Sequence, residues 1–263
     1  MVQFRFLKRG CFRINKLVIA TDAEEPISPG LLCREFLAGK DCIPWNMTVI
    51  STACICEKCK LNDQALFEGS ETICRVDDGE HEIKTLKTTL KDLYPFPSPY
   101  TRLHAPESVS LGEMYSKNML QLDDKEQLLF DLSMLEAKSN LSKDIHPIMF
   151  GAAVLFEDGT IVKSHQLSAL EYGCTLDAVS QLASQIKKNK PVLIVQTDQY
   201  GIAHAPFAPA RSFLTEYGFG DCMILLTKTC LEDVKDIAQW ELKQIRAVDL
   251  APCTPAWTSC TDR

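Results

Sequence analysis

No apolar run in this 263-residue sequence approaches the roughly 18 residues of a membrane-spanning helix. The N-terminus, MVQFRFLKRG, is basic but lacks the apolar core and small-residue site of a secretory leader. Positive charge is also short: 28 Lys and Arg stand against 35 Asp and Glu, a net charge of −7. That balance argues against electrostatic binding to nucleic acid or to an anionic membrane, and no basic run offers a local exception. There is no Gly-x-Ser-x-Gly elbow for a serine hydrolase and no Gly-rich phosphate loop. What is present in quantity is cysteine, twelve residues. With no leader, the expectation is a cytoplasmic protein with reduced thiols, some serving as small core hydrophobes, rather than a disulfide framework. At 46% apolar residues the chain can bury a proper core, in one large or two small domains.

Taken in order, Lys16–Asp22 (KLVIATD) reads as a buried strand that stops at Asp22. A polar turn follows, then a helix over Pro29–Leu37, with Pro29 in the first turn, where its missing N–H has no helical partner. The stretch Pro191–Leu214 repeats this pattern. Leu17/Leu193, Thr21/Thr197, Asp22/Asp198, Pro29/Pro206, Arg34/Arg211, Phe36/Phe213 and Leu37/Leu214 match with one residue of slippage, an internal repeat. Cys42–Ala53 reads as the next strand. Cys54, Cys56, Cys59 and, further on, Cys74 contain one C-x-x-C pair without its second half. Free thiols in a loop are the simpler reading than a metal site. Residues 101–122 read as a linker, and Asp124–Ser139 as an amphipathic helix with a Leu128, Leu132, Leu135 stripe widened by Leu129 and Phe130. Gly151–Phe156 and Thr160–His165 read as a hairpin turned at Asp158-Gly159. A loop then leads into a helix opening near Thr175 and running to the lysines at 187, 188 and 190. Cys222–Thr227 is a further strand, Leu231–Ile245 a helical or mixed segment around Trp240, and the residues from Pro252 a loose tail. The alternation of strands and helices gives an α/β class.

The run GAAVLFEDG…EYGCTLDAV (residues 151–179) with PFAPAR (206–211) resembles the cytidine deaminase family, in which "GAA-[VL]-L…DG…YG-x-T-x-C-A-E" precedes "P-C-x-x-C-R". The resemblance implies a three-layer α/β/α fold with a mixed sheet of about five strands, present twice with the first copy incomplete. Residues 1–104 would form the truncated first domain, 105–123 a linker and 124–263 the second domain. In the family a zinc ion held by one ligand at one helix start and two cysteines at another activates water, and a nearby Glu moves the proton. Here the first ligand position is Asp177, the Glu position is Val179, and the two cysteine positions are Phe207 and Ala210. In the first copy Cys33-Arg34-Glu35 keeps one family ligand position, Cys33, while the earlier one is Gly30. The ribose-binding positions become Gln166 and Ser168, with Tyr172 beside them. Leu93-Tyr94-Pro95-Phe96 resembles the family's closing segment, which helps close a neighbouring subunit's pocket.

The resemblance thus implies the family frame without its reagents: a catalytically degenerate member with no cofactor, acting as a non-catalytic or partner-dependent subunit beside its own kind or a related deaminase. One alternative is an active zinc-dependent cytidine or deoxycytidine deaminase using Cys33 and a partner subunit. Another is a pyrimidine-nucleoside-binding module. Asp177, Cys174, His165 and His204 all fall near the expected pocket mouth. A rebuilt ligand set of Asp177, His204 and Cys174 competes with the plainer reading of a capping Asp, a buried Cys and a surface His. Either erosion or a truncated gene product accounts for the short first copy.

Overall fold

The computed structural model describes residues 13–21, 25–55, 82–115, 122–140, 146–170 and 175–252. Its elements are β1 (Lys16–Thr21), α1 (Leu31–Ala38), β2 (Thr48–Ile55), β3 (Glu82–Thr89), α2 (Leu90–Leu93), α3 (Ala105–Tyr115), α4 (Asp124–Ser139), β4 (Phe150–Phe156), β5 (Ile161–His165), α5 (Ala178–Gln181), α6 (Ala183–Ile186), β6 (Pro191–Asp198), β7 (Ala203–His204), α7 (Ala208–Glu216), β8 (Met223–Lys228) and β9 (Glu241–Arg246). The chain divides into two compact units, residues 1–29 with 40–92 and residues 30–39 with 93–263. Helix α1 therefore belongs to the second unit although it lies between two strands of the first.

The first unit is a three-stranded sheet in the order β1-β2-β3, parallel between β1 and β2 and antiparallel between β2 and β3. Strand β2 is its centre, rich in β-branched residues, and buries Val49 and Ala53. It begins at Thr48 rather than at Cys42. Residues 40–47 form turns closed by Ile43 N–H to Lys40 O and Met47 N–H to Pro44 O, and Pro44 has no N–H to give a ladder.

The second unit carries a mixed six-stranded sheet, β5-β4-β6-β8-β9, with β7 paired to β6. Its two faces are both covered. On one, Ala152, Val154 and Ile194 meet Val179 and Ile186 of α5 and α6 and Leu214 of α7. On the other, Ala153, Leu193, Val195 and Leu225 meet Leu129 and Phe130 of α4. Neighbouring residues of one strand thus serve opposite cores, as the period of two demands. The result is an α/β fold of mixed sheets flanked by helices.

Local chemistry explains most boundaries. Gly159 turns the β4–β5 hairpin at φ 82, a conformation that favours glycine. Asp123 and Glu126 form a reciprocal capping box at the start of α4. That helix crosses β4 so closely that a β-carbon on Gly151 would lie 2.1 Å from the Ser133 carbonyl oxygen. The crossing turns Leu129, Phe130, Ser133 and Ala137 inward and leaves Leu128 and Leu135 exposed, so the buried face is centred on the Leu129 and Phe130 side of the expected stripe and not on Leu128 and Leu135. Helix α1 starts after Gly30, which puts Pro29 before the first turn rather than in it. The stretch read as a linker contains α3, with Pro106 in its first turn. The helix expected from Thr175 opens at Ala178, because the Thr175 hydroxyl is engaged with the Ala169 backbone and Asp177 is the cap; it breaks at Leu182 and ends at Ile186. The Trp240 segment, expected to be helical or mixed, is a short 3₁₀ turn over Ile237–Gln239 followed by strand β9.

Candidate functional site

The residues singled out at the helix starts are committed to local structure. Asp177 is buried and caps α5: one carboxylate oxygen accepts from Ser180 N–H at 2.9 Å and the other from the Ser180 hydroxyl at 2.5 Å. Burial pushes its carboxyl up to about 6, against the hydrogen bonds from Ser180. Val179, one residue into α5, is core. Phe207 precedes α7 and sets its ring edge-on against Phe150, with centroids 5.0 Å apart. Ala210, one turn on, is also core. The first turn of α7 receives an anion instead from α1: a Glu35 carboxylate oxygen accepts from Ala208 N–H at 3.1 Å and from the Tyr94 hydroxyl at 2.6 Å.

Gln166 is buried just after β5, where its side-chain amide nitrogen donates to the Ser168 hydroxyl at 3.2 Å and its backbone carbonyl oxygen accepts from the Asn140 side-chain amide. Cys33 lies exposed on α1, one residue before the buried Arg34, and Gly30 is the α1 cap. His165 sits beside Glu136 on the β5 edge. Tyr172, Cys174, Cys56, Cys59 and Cys74, and the side chain of Cys54, lie outside the described residues. Among the described residues there is no group of three or more His, Cys, Asp or Glu side chains able to hold a metal ion.

His204 is not a surface residue. It is wholly buried on β7, with Nε2 3.2 Å from Oδ2 of the buried Asp198 and Nδ1 3.2 Å from the Ser98 hydroxyl. Asp198 also accepts from Tyr200 N–H, Ile202 N–H and, at 2.5 Å, the Tyr100 hydroxyl. With the Asp198 carboxylate as acceptor, Nε2 is the donor toward it, and Nδ1 lies within hydrogen-bond distance of the Ser98 hydroxyl. Burial and then the Asp198 charge raise the Tyr100 phenol far above its ordinary range, so it stays a donor. The rings of Phe150 and Tyr100 lie within 5.2 Å of the imidazole. This network fixes residues 98–100 onto the end of β6, and both imidazole nitrogens are already engaged. Only the Thr-Asp of the repeat hinted at it in the sequence.

The two matched arginines form a second buried system. Arg211 donates to the carbonyl oxygens of Pro206, Pro95, Leu250 and Phe96. Arg34 donates to those of Leu93 and Pro252. Each arginine thus bonds both a Leu93–Phe96 and a Leu250–Pro252 carbonyl, and α1 packs on α7.

No family model and no curated protein matches the chain. Among solved structures, the chain is similar to the cytidine deaminase of Mycobacterium tuberculosis, at 20% identity and TM-score 0.38 over 51% of this chain and 98% of that one. It is similar as well to the Mycobacterium leprae enzyme, at 17% identity and TM-score 0.38 over 49% and 99%. The Burkholderia pseudomallei enzyme stands at 17% identity and TM-score 0.38 over 49% and 97%.

Proposed function

We propose that this chain is a cytidine-deaminase-like protein whose second domain has exchanged the deaminase centre for packing, and that it acts as a non-catalytic or partner-dependent subunit. The observation that carries this is the Phe207–Phe150 contact. At a position where the family motif has a zinc-binding cysteine, an aromatic ring with no donor atom fills the space. Ala210 has no donor either, Asp177 spends both oxygens on Ser180, and Val179 cannot move a proton. This donor set does not fit a catalytic zinc, which needs three protein ligands and an open position.

The duplicated reading of the chain belongs to the same proposal. The order β1-β2-β3 has the parallel and antiparallel senses of β6-β8-β9. The matched Arg34 and Arg211 are both buried and both bound to carbonyls. We read this as one fold used twice, with the first copy incomplete and a self or related deaminase subunit as the natural partner. Gln166, Ser168 and Tyr172 are the residues that would hold a pyrimidine nucleoside if that handle is retained.

The test is zinc content of the purified chain together with an absorbance assay on cytidine and deoxycytidine. The expected result is far less than one zinc per chain and no loss of the substrate band. One zinc per chain with turnover would overturn the reading. Cys33→Ala would then show whether the retained position is a ligand.

A further inference from the structure

The network around His204 holds three side chains whose chemistry the deaminase resemblance does not use, all within the second unit. The Ser98 hydroxyl is 3.2 Å from Nδ1 of His204, and Nε2 of the same ring is 3.2 Å from Oδ2 of Asp198. A hydroxyl, an imidazole and a carboxylate bonded in that order are the parts of an activated nucleophile. The imidazole takes the hydroxyl proton and the carboxylate orients the imidazole. Such a set is recognised by geometry, so the lack of a Gly-x-Ser-x-Gly elbow does not bear on it.

Each member is held for that role. Asp198 and His204 are wholly buried. Asp198 also accepts from Tyr200 N–H, Ile202 N–H and the Tyr100 hydroxyl, so its carboxylate is fixed in place. A carboxylate has no proton to give, which makes Nε2 the donor, and in the neutral ring Nδ1 then carries the lone pair. Ser98 stands between Pro97 and Pro99, and a following proline narrows the backbone freedom of the residue before it. Its Oγ accepts from Tyr100 N–H at 3.2 Å, which leaves the hydroxyl hydrogen for Nδ1. Of the three residues only Ser98 is half-buried, so the nucleophile is the one within reach of solvent. Among the described residues nothing accepts from the Ser98 N–H, a donor beside the reacting oxygen.

We propose that Ser98 is an acyl-accepting nucleophile for esters, with His204 as its base and Asp198 as the positioning residue. Ser98 Oγ bonds to the carbonyl carbon as its proton passes to Nδ1 of His204. The charge that develops on the carbonyl oxygen has the Ser98 N–H beside it. The C–O bond to the alcohol then breaks, the leaving oxygen takes the proton from Nδ1, and the acyl group stays on Ser98. Water repeats the sequence, so one ester and one water give one acid and one alcohol with the hydroxyl restored. The imidazolium formed in between keeps its Nε2–H on Asp198. The Phe150 and Tyr100 rings, centred 5.0 and 5.2 Å from the imidazole, flank the base with apolar surface and select small, uncharged acyl groups. The inference is independent of whether the deaminase centre is active, since it uses neither zinc nor a nucleoside.

The test treats the full chain with a fluorophosphonate probe and with p-nitrophenyl acetate. The expected result is one probe per chain, located on Ser98 by mass spectrometry. Release of p-nitrophenolate should fall on the order of 100-fold in Ser98→Ala and in His204→Gln, with circular dichroism unchanged. Nitrogen-15 spectra of the His204 ring should find the proton on Nε2 and none on Nδ1. Asp198→Asn, whose amide can donate to Nε2, should move that proton to Nδ1 and suppress labelling, a shift that a merely structural role does not require. A chain that takes no probe at Ser98 overturns the proposal, as does ester hydrolysis indifferent to Ser98→Ala or a ring proton on Nδ1 in the unsubstituted chain. Where a buried substitution prevents folding, probe occupancy of Ser98 in the unsubstituted chain decides alone.

Discussion

At the residue scale, Asp177, His204 and Gln166 all find their described hydrogen-bond partners within the chain. Asp177 has the clearest consequence. Its carboxyl titrates near 6 in the folded chain because it is buried, against an ordinary value of 3.8. Between those values the folded state holds a proton that the unfolded state has released. This contribution to stability is therefore fully present below about pH 4 and is lost as pH rises through 6. Asp177→Asn keeps an acceptor for Ser180 N–H and removes the charge. It should flatten the stability–pH curve between 4 and 6 and raise stability at pH 7 on the order of 2 kcal/mol. Urea midpoints measured across that range check this, and an unchanged slope in the variant would refute the assignment. Cys222 makes a related point: burial pushes its thiol up to about 12, so it behaves as a core hydrophobe, which is how part of the cysteine surplus was expected to serve.

At the element scale, the sequence was most readable where structure is decided locally. The β4–β5 hairpin follows from Asp158-Gly159, and β6 and β8 follow from short apolar runs. It was less readable where a distant partner decides. Pro106 and Gly112 look like breakers, yet Pro106 sits in a helical first turn and Gly112 is required because a β-carbon there would fall 2.3 Å from the Tyr200 ring. The buried face of α4 is likewise set by Gly151, twelve residues beyond the helix, and a stripe count on the helix alone centres it on Leu128, Leu132 and Leu135 instead of on the Leu129 and Phe130 side. Gly151→Ala should therefore destabilise the second unit by about 3 kcal/mol or more, since the clash is with helix backbone that no rotamer change relieves. Thermal unfolding measures this, and a loss under about 1 kcal/mol would mean that α4 is free to shift. The Ser98–His204–Asp198–Tyr100 network was unreadable for the same reason, its members being separated by about a hundred residues of sequence.

At the scale of the whole molecule, stability should be uneven. β6 is buried along nearly its length and paired on both sides, whereas β1 alternates exposed and half-buried residues. Hydrogen exchange should find the amides of Leu193–Gln196 protected on the order of 100-fold more than those of Leu17–Ala20. Equal protection would show that the first unit is as firmly held as the second. The α/β class was visible in the alternation of elements. The assignment of α1 to the second unit was not, because it depends on two buried arginines and the carbonyls they find.

Those arginines also set a timetable. Arg34 is made early, but one of its acceptors is the carbonyl of Pro252, 218 residues later. At about 5–20 residues per second, synthesis of that interval takes roughly 10–40 s. Throughout it, α1 carries a guanidinium whose final seat does not yet exist, and Arg211 likewise waits for Leu250. The emerging chain must therefore hold α1 open to solvent, or to a chaperone, until Pro252 has been added.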